Sequence, residues 1–178
     1  MVIGLSLDEA GVKGLTMDRV PRSERVALVV DDDMFVLSAL AELLSEDGFD
    51  VHTASNGFSA VRLAMECRPA VILLDLALPE RSGTEVLADL RADPATREVA
   101  IVVVSGNAHL LTPAQLDATD GVVSKPFDVT ELMAAVQRAV RRAALRRAEV
   151  APVAPLSRSP QSVRQRRAAG VRHSRGRR

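Results

Sequence analysis

Three short apolar runs, each halted by a residue able to handle a phosphoryl group or a cation, restrict this chain to very few architectures. Val26–Val30 runs into Asp31, Asp32 and Asp33; Val71–Leu74 runs into Asp75; Ile101–Val104 runs into Ser105. A weaker fourth run, Gly121–Ser124, meets Lys125 and Pro126. Unbroken apolar runs of this length mark strands buried on both faces, the habit of parallel sheets covered by helices. Helical periodicity fills the intervals. Val36, Leu37, Leu40, Leu43 and Leu44 recur at helical spacing within Met34–Asp47, and Gly48 follows as a natural stop. Asp50–Ala54 reads as a short strand, and Gly57–Cys67 as a helix burying Ala60, Val61 and Ala64 and ending before Pro69. A loop with Pro79 and Gly83 leads to a helix through Val86, Leu87 and Leu90, broken at Asp93-Pro94. Thr112-Pro113 reads as a cap followed by proline at the first position of a short helix over 113–118. The last helix begins near Asp128 and aligns Val129, Leu132, Met133, Val136 and Val140.

Five strands alternating with five helices predict an α/β doubly wound sandwich. Its sheet is parallel, five-stranded and flavodoxin-like in order (2-1-3-4-5), with helices on both faces. With 178 residues, 2% aromatics and no Trp or Tyr, the core must be built from Val, Leu, Ala and Ile. A formal charge of zero conceals segregation. Residues 146–178 hold ten arginines against Glu149, a net of +9, leaving −9 on residues 1–145 from 13 basic and 22 acidic side chains. The expected organisation is a loose extension over 1–24, a domain over 25–145 and a disordered Arg-rich tail over 146–178, too poor in apolar residues to offset its ordering entropy. Met17 offers an alternative start. The single Cys67 excludes an internal disulfide and fits a reducing compartment. No apolar stretch approaches the roughly 18 residues of a membrane span, and residues 1–16 lack a signal-peptide pattern, so a cytoplasmic protein is expected.

In such a sheet ligands sit beyond the carboxyl ends of the strands, where the strand order reverses. That point lies between the first and third strands and gathers Asp31, Asp32 and Asp75. Three carboxylates so close repel unless a cation neutralises them, and hard oxygen donors with room for water suit Mg²⁺. Ser105 and Lys125 arrive from the fourth and fifth strands. An aspartate, a divalent metal, a lysine and a hydroxyl together suit phosphoryl transfer to a carboxylate nucleophile. Asp75 is the candidate nucleophile because it stands alone at its strand end. Asp33 reads instead as the start of the first helix, where its charge suits the dipole. His52, His109 and His173 have no ligand-like spacing. No glycine-rich phosphate loop is present, so a nucleotide is not the obvious donor.

The ordered set Val29-Val30-Asp31-Asp32-Asp33, Asp75 with Leu78-Pro79 and Gly83, Ser105-Gly106, and Lys125-Pro126-Phe127 resembles the receiver domain of two-component response regulators, over residues 25–142. The resemblance implies that Asp75 accepts a phosphoryl group from a histidine kinase or histidine phosphotransfer protein. It implies Mg²⁺ held by Asp32, Asp75 and the backbone carbonyl of Ala77, with Asp31 acting through water. It further implies that Ser105 moves toward the phosphate, that Lys125 binds one of its oxygens, and that the Lys125–Pro126 peptide is cis. The only chemistry expected is self-catalysed phosphoryl transfer and dephosphorylation, so the chain is read as a signalling phosphoacceptor rather than an enzyme. Three features depart from the pattern. Val122 stands where receivers carry Tyr or Phe, the stretch from Ser105 to Lys125 is short, and no output domain is expected to follow.

The leading expectation is therefore a single-domain regulator that signals through contact with a downstream protein, without specific DNA binding. The rival is a phosphorylation-independent interaction module whose basic tail meets nucleic acid or another acidic partner. The tail lacks aromatics, so any nucleic-acid contact would be non-specific. An aspartyl-phosphate phosphohydrolase is disfavoured because no cap insertion accompanies Asp31 and Asp33.

Overall fold

A computed structural model describes residues 25–150. Strands β1 (Val26–Val30), β2 (Asp50–Ala54), β3 (Val71–Leu74), β4 (Ala100–Ser105) and β5 (Gly121–Ser124) alternate with helices α1 (Met34–Glu46), α2 (Gly57–Cys67), α3 (Gly83–Ala92), α4 (Pro113–Asp117) and α5 (Val129–Val150). All pairings are parallel, in the order β2-β1-β3-β4-β5 expected from the sequence. Burial explains the apolar runs, since every residue of β3 and β4 is inaccessible to solvent. Alternate side chains go to opposite layers. Ala27, Val29, Leu73 and Val102 meet Leu37, Leu40 and Leu44 of α1 and Leu132, Val136 and Ala139 of α5. Leu28, Val30, Ile72 and Ile101 meet Ala60 and Ala64 of α2 and Val86, Leu87 and Leu90 of α3. Full burial of each such leucine contributes about 2 kcal/mol of transfer free energy, which is why the layers close without aromatics.

Local chemistry sets the element ends. Asp33 caps α1 by accepting from the Phe35 and Val36 amides, Asn56 caps α2 through Ser59, and Ser82 caps α3 in a capping box with Glu85. Gly48 follows α1 at φ +89°, a conformation that costs glycine little. Thr112 and Gln115 form a second capping box around Pro113, opening the short α4 the sequence announced. A single 3-10 turn, Ala108–Leu110, precedes it and was not anticipated. The last helix runs longer than expected, so residues 146–150, assigned to the tail, complete α5. Arginine and alanine are good helix formers, and Arg146 reaches back onto the domain. The expected extension over 1–24 and the remainder of the Arg-rich segment, 151–178, lie outside the described residues. Among the described residues no helix is long and apolar enough to cross a membrane.

Candidate functional site

The switch point between β1 and β3 carries the acids. Parallel register aligns Val30 with Leu74, so Asp31 and Asp75 leave adjacent strands at one level. The Asp31 amide donates to Ala54 O at 3.1 Å and the Asp75 amide to Val30 O at 2.9 Å, which fixes both backbones. One carboxylate oxygen each from Asp31, Asp32 and Asp75 lies within 4.8 Å of the others. Asp31 and Asp75 are 2% and 4% exposed, while Asp32 faces solvent.

Lys125 enters from the end of β5, beside a cis Lys125–Pro126 peptide. Its Nζ lies 2.5 Å from Asp31 Oδ2 and 3.6 Å from Asp75 Oδ1. The other Asp31 oxygen accepts from the Asp33 amide at 3.0 Å, and Asp75 Oδ2 accepts from the Ala77 amide at 3.2 Å. Asp31 is therefore engaged at both oxygens, whereas Asp32 makes no ion pair among the described residues. Three carboxylates against one ammonium leave a net charge of −2 in a partly dry crevice. Hard oxygen donors with that charge fit a divalent cation of the Mg²⁺ class.

Ser105 ends β4, fully buried, and its Oγ accepts from the Asn107 amide at 3.3 Å. The Lys125 amide donates to the Ser105 carbonyl at 3.2 Å, tying the two strand ends together. Beneath them Leu76, Val103 and Leu111 form a small separate cluster with Val122 packed against it. An aliphatic side chain thus occupies the place where an aromatic was expected.

Two glycines constrain the backbone around the site, Gly83, which belongs to the motif set, and Gly57, which sequence reasoning placed only as the start of a helix. A Cβ on Gly83 would collide with the Asp75 carbonyl oxygen and come within 2.7 Å of Leu76 Cα, so α3 starts against the backbone of the candidate acceptor. Gly57 is similarly confined by the Arg81 carbonyl at 2.7 Å. The Arg81 guanidinium in turn lies 5.6 Å from the Phe58 ring centre. Asp128 accepts from the Thr130 and Glu131 amides at the start of α5, and these bonds hold its carboxyl below the usual range.

A crevice of clustered acids, a lysine and a hydroxyl thus sits at the switch point of a doubly wound parallel sheet, where folds of this class take their ligands. Sequence comparison agrees: the family model described as response regulator receiver domain matches residues 27–137, and the chain belongs to that family, a component of two-component systems. It is 40% identical over 119 residues to the transcriptional regulatory protein KdpE of Mycobacterium tuberculosis, covering 66% of this chain and 51% of that protein. It is 41% identical over 128 residues to the transcriptional regulatory protein PrrA of Mycobacterium leprae, covering 71% and 54%. The chain spans about half the length of these curated relatives. Among solved structures it resembles the receiver domain of a Pseudomonas aeruginosa sensor histidine kinase, with magnesium coordinated in its active-site cleft, at TM-score 0.59 and 29% identity over 66% of this chain and 98% of that one. A response regulator receiver domain protein from Clostridium thermocellum matches at TM-score 0.60 and 28% identity over 68% and 98%.

Proposed function

We propose that this chain is a phosphorelay response regulator in which Asp75 accepts a phosphoryl group from the phosphohistidine of a histidine kinase or phosphotransfer protein. The observation that carries the reading is the placement of Lys125 between Asp31 and Asp75, within a cluster that keeps an excess of negative charge. In the transfer, a carboxylate oxygen of Asp75 forms the new P–O bond while the P–N bond to the donor imidazole breaks and its electron pair returns to the ring nitrogen. Lys125 moves from carboxylate to phosphoryl oxygen as negative charge arrives on Asp75. Ser105 donates its hydroxyl to another phosphoryl oxygen, giving up its link to the Asn107 amide.

Asp32, Asp75 and the Ala77 carbonyl would hold Mg²⁺, with Asp31, which already accepts from the Asp33 amide and pairs with Lys125, acting through water. When bound, the ion neutralises carboxylate charge and lowers the repulsion felt by an incoming phosphoryl group. The receiver unit is taken as residues 25–145, and the reading places the protein in the cytoplasm, where the thiol of Cys67 stays reduced. Its output is contact with another protein.

Incubation of the full chain with Mg²⁺ and phosphoramidate, followed by intact-mass measurement, should add one phosphoryl group, and Asp75→Asn should abolish the addition. A mass increase that survives this substitution would remove Asp75 from its role.

A further inference from the structure

Between Glu131 and Glu149, α5 carries five arginines and no acid. Arg146 turns inward to Asp120 and Glu98. The remaining four, Arg138, Arg141, Arg142 and Arg147, are exposed and make no ion pair among the described residues. At 100° per residue, Arg138, Arg141, Arg142 and Leu145 fall within an arc of about 100°, turned away from the buried Leu132, Val136, Ala139 and Ala143. Guanidinium groups three and four residues apart repel one another, and no acid among the described residues forms an ion pair with this set. The sequence prolongs the charge. Residues 132–178 hold 13 arginines against the single Glu149, with no lysine, leaving residues 1–131 at −12 from ten basic and 22 acidic side chains.

We propose that this exposed face of α5 binds the phosphodiester backbone of nucleic acid without base preference. The guanidinium fork suits paired phosphate oxygens better than the ammonium of lysine, and this region uses arginine alone. Phe127 is the last aromatic residue of the chain, so no base-stacking platform accompanies the charge. A membrane surface is a poorer fit. The apolar stripe of α5 is spent on the sheet, and Leu145, 55% exposed, is the single large apolar side chain in the basic arc. Arg142 also lines a polar crevice of about 410 Å³ with Arg97 and Arg146, whose acids Glu98 and Asp120 are already paired, and with Asp117. The contact is independent of phosphoryl chemistry at Asp75.

Fluorescence anisotropy of the full chain on a labelled duplex of arbitrary sequence, across NaCl concentrations, tests the proposal. Replacing Arg138, Arg141 and Arg142 together by Gln should make the slope of log affinity against log salt shallower by about 2.7, which is on the order of 40-fold less salt sensitivity over a fourfold rise in salt. The pair Arg138→Gln with Arg142→Gln should shift it by about 1.8, and serves if the triple variant unfolds by circular dichroism. A second duplex of scrambled sequence should bind equally. An unchanged slope in both variants would overturn the proposal. So would affinity for one duplex only, binding to phosphatidylserine vesicles in preference to DNA, or wild-type self-association with no DNA binding at low salt.

Discussion

At the amino-terminal rim of the sheet one buried carboxylate, Asp120, is met by two guanidinium groups and an amide. At the opposite rim three carboxylates share one ammonium. Asp120 Oδ2 accepts from Arg91 Nη2 at 3.0 Å and from the Ile101 amide at 2.9 Å, while Oδ1 accepts from Arg146 Nη1 at 2.5 Å. Arg91 spends its other donors on the carbonyls of Ala118, Arg97 and Val99. Burial pulls the Arg91 guanidinium below its usual value, with Asp120 opposing, and the hydrogen bond to Asp120 raises that of Arg146. This arrangement joins α3, β4, β5 and α5 and leaves no carboxylate oxygen of Asp120 unpaired. The Asp75 rim is under-compensated instead, and under the proposed function that shortfall is what a cation and a phosphoryl group use. Satisfied charge holds the fold together, and unsatisfied charge is kept for chemistry.

Substitutions can break this contrast, the largest effect coming at the satisfied rim. Asp120→Ala leaves two guanidinium groups facing each other without their acid and should lower stability by about 3 kcal/mol in urea titration. A loss below about 1 kcal/mol would mean that Arg91 and Arg146 find other partners. At the other rim, Lys125→Met orphans a buried oxygen of Asp31 and should cost about 2 kcal/mol without metal. It should also make stability depend more steeply on Mg²⁺ than in the wild type, since the metal then supplies the only positive charge; equal Mg²⁺ responses in melting curves would contradict the charge deficit. The smallest effect belongs to Asp128. Its carboxyl in the folded chain titrates below the ordinary value of 3.8, so its contribution is complete above that value and fades as pH falls through the folded one. Asp128→Asn should therefore differ from wild type by a small constant amount from neutral pH down to about pH 5, and the difference should shrink below about pH 4.

Legibility in the sequence followed the range of the interactions. Strands buried on both faces announce themselves as runs of Val, Leu and Ile, so the strands and the acids at their ends could be placed from residues, while their 2-1-3-4-5 order rested on the resemblance as well. Caps such as Asp33 and Thr112 act within three residues and were equally visible. The Arg91–Asp120–Arg146 set was not. Its members are separated by 29 and 26 positions and carry no spacing signal, so the acid that Arg146 meets could not be named. The close approach of Gly83 to Asp75 likewise depends on how α3 is laid against β3, which composition does not encode. Val122 was recognised as a departure from the pattern, but the aliphatic cluster it joins with Leu76, Val103 and Leu111 emerged only from packing.

The direction of α5 has a practical consequence. It runs opposite to the strands, so Arg146 lies beside Asp120, just ahead of β5, rather than near Asp75. A fluorescent reporter carried by the exposed Arg147 position would therefore sit at the rim of the sheet opposite the carboxylate crevice.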